Sequence, residues 1–155
     1  MNLTGEKGIG NILKIFLEIC FYLGIILLIA LPFVLSAMGF KLGASMFVIY
    51  PNGIVLLMIT HKFIKLFNSL KNNKPFCKEN TKIMKSAGII SLIGSLFWII
   101  DLMYEIVLAK SDDIVFGFTL AFLAVLFFGV AIALFILSEL FKQASEYKEE
   151  NELTI

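Results

Sequence analysis

Two acids four residues apart, Asp101 and Glu105, stand in an otherwise apolar run. Residues at i and i+4 share one helix face. No Lys lies within a turn of Asp101. A charged group inside a bilayer is costly, so an intramembrane acid is a candidate functional group by default. At 1.5 Å per residue, Asp101 lies about 22 Å along a helix entered near Ser86, which places it in the outer third of a membrane. Glu105 then falls near the outer interface. Tyr50 and Asn52 reach comparable depth on a second apolar run, Tyr104 is adjacent, and Lys41 and Lys110 could reach toward Glu105. The expected cluster is Tyr50, Asn52, Asp101 and Glu105, open outward. It suits a cation, a proton or a small ligand. The structural alternative is hydrogen bonding between helices with no ligand.

Other candidate groups point to anchoring rather than catalysis. Lys14 precedes Glu18 by one turn, and Glu139 precedes Lys142 by three residues. With Lys62, Lys65 and Lys85 they read as an inner layer of snorkelling ion pairs. His61 is the sole His and sits beside Lys62 at the end of a run, a headgroup-level position. Cys20 and Cys77 form no metal-type pair, and disulfides are rare in the cytosol. There is no phosphate-binding loop, dinucleotide fingerprint, zinc-protease helix or nucleophile elbow. The expectation is a non-enzyme with no cofactor and no metal.

The elements that must carry these residues follow from composition. Hydrophobic residues make up 59% of the 155 and charged residues 16%. A soluble globule is nearer half apolar and a quarter charged. A net charge of +1 names no polyanionic partner, so direct nucleic-acid binding is not expected. A bilayer crossing takes about 20 apolar residues. Four segments qualify, at about 15–38, 44–64, 86–108 and 115–140. The fold class is therefore all-α: a single integral membrane domain, a four-helix bundle with four transmembrane helices. The first run is longer than the apolar core of a signal peptide.

Lysine placement sets the orientation, because cytoplasmic flanks are Lys/Arg-rich. All 13 basic residues are Lys, a composition that fits AT-rich bacterial coding. Lys7 and Lys14, the seven from Lys62 to Lys85, and Lys142 and Lys148 fall on one side. Only Lys41 and Lys110 fall on the other. Both termini, the loop at 65–85 and the tail at 141–155 are thus expected in the cytoplasm of a multi-pass protein of the bacterial cell membrane.

Small residues mark helix contacts in lipid. One stripe is Gly117, Ala121, Val125, Gly129 and Ala133; another is Ala87, Ser91 and Ser95 with Gly88 and Gly94. They suit contact within the chain or in a homo-oligomer. Pro51 should kink the second helix about two turns inside it; an interfacial half-helix at 44–50 is the alternative. Asn80 or Thr81 is expected to cap the third helix. The residues from Glu149 to Ile155 are expected to be too short to hold a helix alone. Leu153 and Ile155 then alternate as an extended peptide would.

Lys74-Pro75-Phe76, followed by Glu79-Asn80 and a basic helix entry, resembles the loop of the domain-of-unknown-function 2975 family. So does the Glu-Glu-Asn-Glu-Leu-Thr-Ile terminus, and so do four spans in about this length. Lys74 departs from the Asn that the family often has there. The resemblance implies a bacterial membrane family without assigned activity, often encoded beside a small XRE-type helix-turn-helix regulator. The expected function is a regulatory membrane protein in the lipid bilayer, with Pro75, Phe76, Glu79, Asn80, Leu153, Thr154 and Ile155 as partner-binding residues. The alternatives are a transporter, channel component or bacteriocin-immunity protein using the outer acids, or a structural membrane subunit.

Overall fold

In hydrocarbon every backbone polar group must find a partner within its own segment, so apolar runs of this length become helices. The computed structural model describes the backbone of residues 9–38, 43–71, 77–109 and 114–153, and side chains at 10–38, 50–69, 77–107, 114–148 and 150. Its elements are α1 (Ile9–Ala37), α2 (Gly43–Lys71), α3 (Lys78–Tyr104), a π-helical turn (Glu105–Ala109) and α4 (Ile114–Leu153). Among the described residues there is no strand. Three stretches, Gly10–Ala37, Lys78–Val107 and Ile114–Lys148, are long and apolar enough to cross a membrane. α2 falls short of that apolarity over its described side chains, where Pro51, Asn52, His61, Lys62 and Lys65 interrupt it. It is nonetheless as long as α1 and packs on both α1 and α3.

The helices pack antiparallel and in chain order, α3 on α4 most extensively. Gly24 meets Leu57 and Gly53 meets Leu28 between α1 and α2. Gly94 meets Val55 of α2 and Phe127 of α4, and Gly88 meets Phe135. Val55, Ile59 and Ile90 form the apolar core, flanked by Phe63, Phe97 and Phe127.

The α3–α4 seam has a heptad rhythm. On α3 the buried residues include Asn80, Met84, Ala87, Ser91, Gly94 and Asp101; on α4 they are Leu120, Ala124, Ala131, Leu134, Ser138 and Ser145. Steps of four and three residues keep one face toward a partner helix, the geometry of knobs-into-holes packing. Ser95 Oγ donates to the Ala124 carbonyl at 2.9 Å, and Ser138 Oγ donates to that of Thr81 at 3.1 Å. Small and polar residues thus lie inside, while Phe118 and Phe122 face out. A soluble bundle has the reverse pattern; lipid provides no drive to bury large apolar chains.

Within the chain, the α3 stripe is therefore a packing face and the α4 stripe is not. Val125 is 70% exposed, and a Cβ on Gly117 or Gly129 would meet nothing within 4 Å. The holes come from small residues on α3, and α4 supplies large knobs, Phe127 and Phe135, to fill them. A Cβ on Gly94 would lie 2.7 Å from Val55 Cγ1 and 2.8 Å from Phe127 Cδ1. Gly94→Val should lower stability by about 1–3 kcal/mol, as overpacking does. Gly129→Val should be nearly neutral. Thermal unfolding in micelles compares the two, and equal losses would refute this seam.

Other expectations are decided by the helix bounds and caps. α2 is continuous from Gly43 with Pro51 inside it, so the half-helix at 44–50 is not formed. The cap of α3 is Cys77, whose carbonyl accepts the N–H groups of Asn80 (3.0 Å) and Thr81 (3.3 Å). Asn80 is instead fully buried in the first layer of the seam. Most of the loop at 65–85 is helical, since α2 reaches Lys71 and α3 starts at Lys78. The tail is not extended at Leu153, because α4 persists to that residue. Nucleation makes short isolated helices unstable; a segment extending a packed helix needs no nucleation.

Candidate functional site

Asn52 follows Pro51 on α2, and Asp101 lies near the end of α3. Antiparallel packing brings them level: Asn52 Nδ2 donates to Asp101 Oδ2 at 2.7 Å. Both residues are buried, at 6% and 7% exposure. This bond is a polar cross-link between α2 and α3 within an apolar region.

Glu105 is half-buried one turn beyond Asp101. Its backbone N–H is shared between the carbonyls of Asp101 and Leu102, where the α-helix widens into the π-turn. Such turns occur often at functional sites. The sequence reading missed this one; the β-branched pair Ile106-Val107, which disfavours regular helix, is the one local signal.

Asn52 and Glu105 line a cleft of about 640 Å³ between α2, α3 and α4. Its remaining wall is almost wholly apolar, with Trp98, Leu123 and Phe127 on it. The Trp98 and Phe127 ring centroids are 6.4 Å apart. Thr119 turns its hydroxyl back to the Val115 carbonyl at 2.9 Å. From Phe116 to Phe127 the cleft wall follows α4 for about 16 Å at helical rise. A mostly apolar cavity with few convergent polar groups is the usual form of a small-molecule site.

The structure thus brings Asn52, Asp101 and Glu105 together. Tyr50 is half-buried but does not line the cleft. Lys41 and Lys110 lie outside the described residues, as do Pro75, Phe76, Thr154 and Ile155; the side chain of Leu153 does too. Glu79 is exposed in the first turn of α3. At the Lys-rich end, Lys14–Glu18 and Lys142–Glu139 are ion pairs, each at 3.5 Å. Such pairs contribute little to stability and suit an interfacial layer. His61 packs on Phe21, with ring centroids 5.8 Å apart.

A family model described as "Protein of unknown function (DUF2975)" matches residues 13–155. The chain belongs to the DUF2975 family. The matched stretch starts within α1 and takes in the polar link, the cleft and all of α4. No curated protein and no solved structure matches the chain. DUF2975 membership therefore fixes the family and carries no activity with it.

Proposed function

We propose that this DUF2975 protein is a non-enzymatic regulatory subunit of the bacterial cell membrane, with the Asn52–Asp101–Glu105 cluster as its input and the far end of α4 as its output. The observation behind this reading is the α3–α4 seam below the cleft. It runs from Ser95, bonded to the Ala124 carbonyl, down to Asn80, and its α4 side continues to Ser145. α4 has 40 residues. That is about 60 Å of helix, twice the roughly 30 Å hydrocarbon core. On this reading about its last third projects beyond the bilayer, and the lysine distribution supports a cytoplasmic side for that end.

Glu146 and Glu150 are exposed one turn apart on this projection, next to exposed Tyr147. An acidic helix face suits a partner with a basic surface, since opposite potentials speed encounter and fix register. A small DNA-binding helix-turn-helix regulator has such a surface, and it is the partner that the family resemblance implies. A conduit fits less well. Below the cleft the seam is packed shut by fully buried Ser91, by Gly94 against Phe127, and by the Ser95–Ala124 bond.

Co-purification from native membranes with mass spectrometry tests the reading. Glu146→Lys/Glu150→Lys should reduce recovery of the cytoplasmic partner about tenfold, as loss of charge pairing at an interface does, with an unchanged thermal midpoint. Undiminished recovery would overturn docking on this face. In a background lacking Cys20 and Cys77, Glu146→Cys should react with an impermeant thiol reagent only after lysis; labelling of intact cells would reverse the orientation.

A further inference from the structure

We infer that the cleft between α2, α3 and α4 binds a single-tailed cationic amphiphile, with its ammonium head at Glu105 and its tail along Trp98 and Phe127. This deepens the reading above by naming the class of input.

Charge comes first. Asp101 is engaged with Asn52 at the closed end of the polar cluster. The Glu105 carboxylate makes no hydrogen bond or ion pair among the described residues. All the described lysines stand at the opposite end of the helices; Lys41 and Lys110, the two that the lysine count puts at this end, lie outside the described residues. A carboxylate beside an apolar wall is poorly solvated, and a cation is its natural complement.

Shape comes second. The acid is at one end of the cleft and the aromatic pair lies further along, so polarity falls along its length. That gradient matches a molecule with a charged head and an apolar tail. A bare divalent cation fits less well: calcium takes 6–8 oxygen ligands, and two carboxyls and one amide supply too few. A bilayer phospholipid fits less well too. Its ammonium comes with a phosphate, which the acids would repel, and its two tails are bulky for about 640 Å³.

Trp98 is the only Trp in the chain and lies on the cleft wall, so its fluorescence reports occupancy directly. The full chain in maltoside micelles is titrated with a bromine-tipped alkyltrimethylammonium. The matching bromoalkyl carboxylate and bromoalkyl alcohol serve as controls, since bromine quenches indole on contact. The ammonium probe should quench saturably, and the two controls only in proportion to their concentration. Glu105→Gln should weaken the ammonium probe about tenfold, the scale of a charge-assisted contact. Glu105→Asp should retain the preference for the cation. Equal quenching by all three probes, or no effect of Glu105→Gln, would overturn the proposal. Displacement of the probe by phosphatidylethanolamine as readily as by an unlabelled alkylammonium would also overturn it. The acidic face of α4 is remote from the cleft, so absent quenching with intact partner recovery removes the ligand class and leaves the regulatory reading standing.

Discussion

Asn52→Leu should destabilise the bundle more than Asp101→Leu, and the double variant should be more stable than Asn52→Leu alone. The asymmetry follows from what each change leaves behind. Asn52→Leu removes the donor 2.7 Å from a carboxyl group that is only 7% exposed. A buried acid deprived of its hydrogen bond carries a large desolvation penalty, about 1–3 kcal/mol or more when charged. Asp101→Leu removes the acid itself and leaves a neutral amide, which is cheaper to bury. Replacing both partners by apolar side chains deletes the whole polar link and can be close to neutral. Asp101→Asn should retain most of the stability, because an amide oxygen can still accept from Asn52. Interhelical hydrogen bonds in membranes average about 0.6 kcal/mol and reach roughly 1.7; a coupling above that average would mark this pair as a structural hub. Unfolding of the four proteins in mixed micelles completes the double-mutant cycle. Strictly additive losses would show that the bond contributes no coupling and would leave Asp101 for a role other than joining α2 to α3.

The cross-link was legible because two periodicities converged on it. Asp101 and Glu105 are conspicuous in an apolar run, and Pro51 fixes where Asn52 can stand. Antiparallel neighbours then bring them level. The partner of α4 was less legible. Its small residues at 117, 121, 125, 129 and 133 looked like a contact face, but Val125 and Gly129 face outward. In lipid, small residues on one helix need large residues opposite, and only the assembled pair reveals which helix takes which part. Asn80 was misplaced for a related reason. An Asn after a Pro-containing loop is a good cap by local rules, yet the seam begins there and buries it. The π-turn at Glu105 rests on how α3 ends at the cleft, which side-chain spacing does not encode.

Ala144→Pro should abolish partner recovery while leaving the membrane-embedded helices folded. Ala144 is half-buried on the C-terminal part of α4, beside buried Ser145. Proline inside a helix removes one backbone bond, clashes with the preceding turn and costs about 3 kcal/mol or more. The apolar part of α4 keeps its seam to α3 through Leu120, Ala124, Ala131 and Leu134, so it can bear that strain by releasing the segment beyond 140. The released segment then has about a dozen residues, and an isolated helix of that length is marginal in water. Limited proteolysis should therefore move the C-terminal boundary of the resistant core from near 153 to near 140. Ala144→Ser, which keeps the backbone donor, should behave as the parent. This variant separates two ways in which the tail could act. If a helix face carrying Glu146 and Glu150 is what binds, breaking the helix should remove capture although every acidic residue is still present. If the last residues bind as an extended peptide, Ala144→Pro should leave capture intact and deletion of Leu153, Thr154 and Ile155 should abolish it. Because α4 remains helical to Leu153, the helix-face result is expected, and capture that survives the proline would reject it.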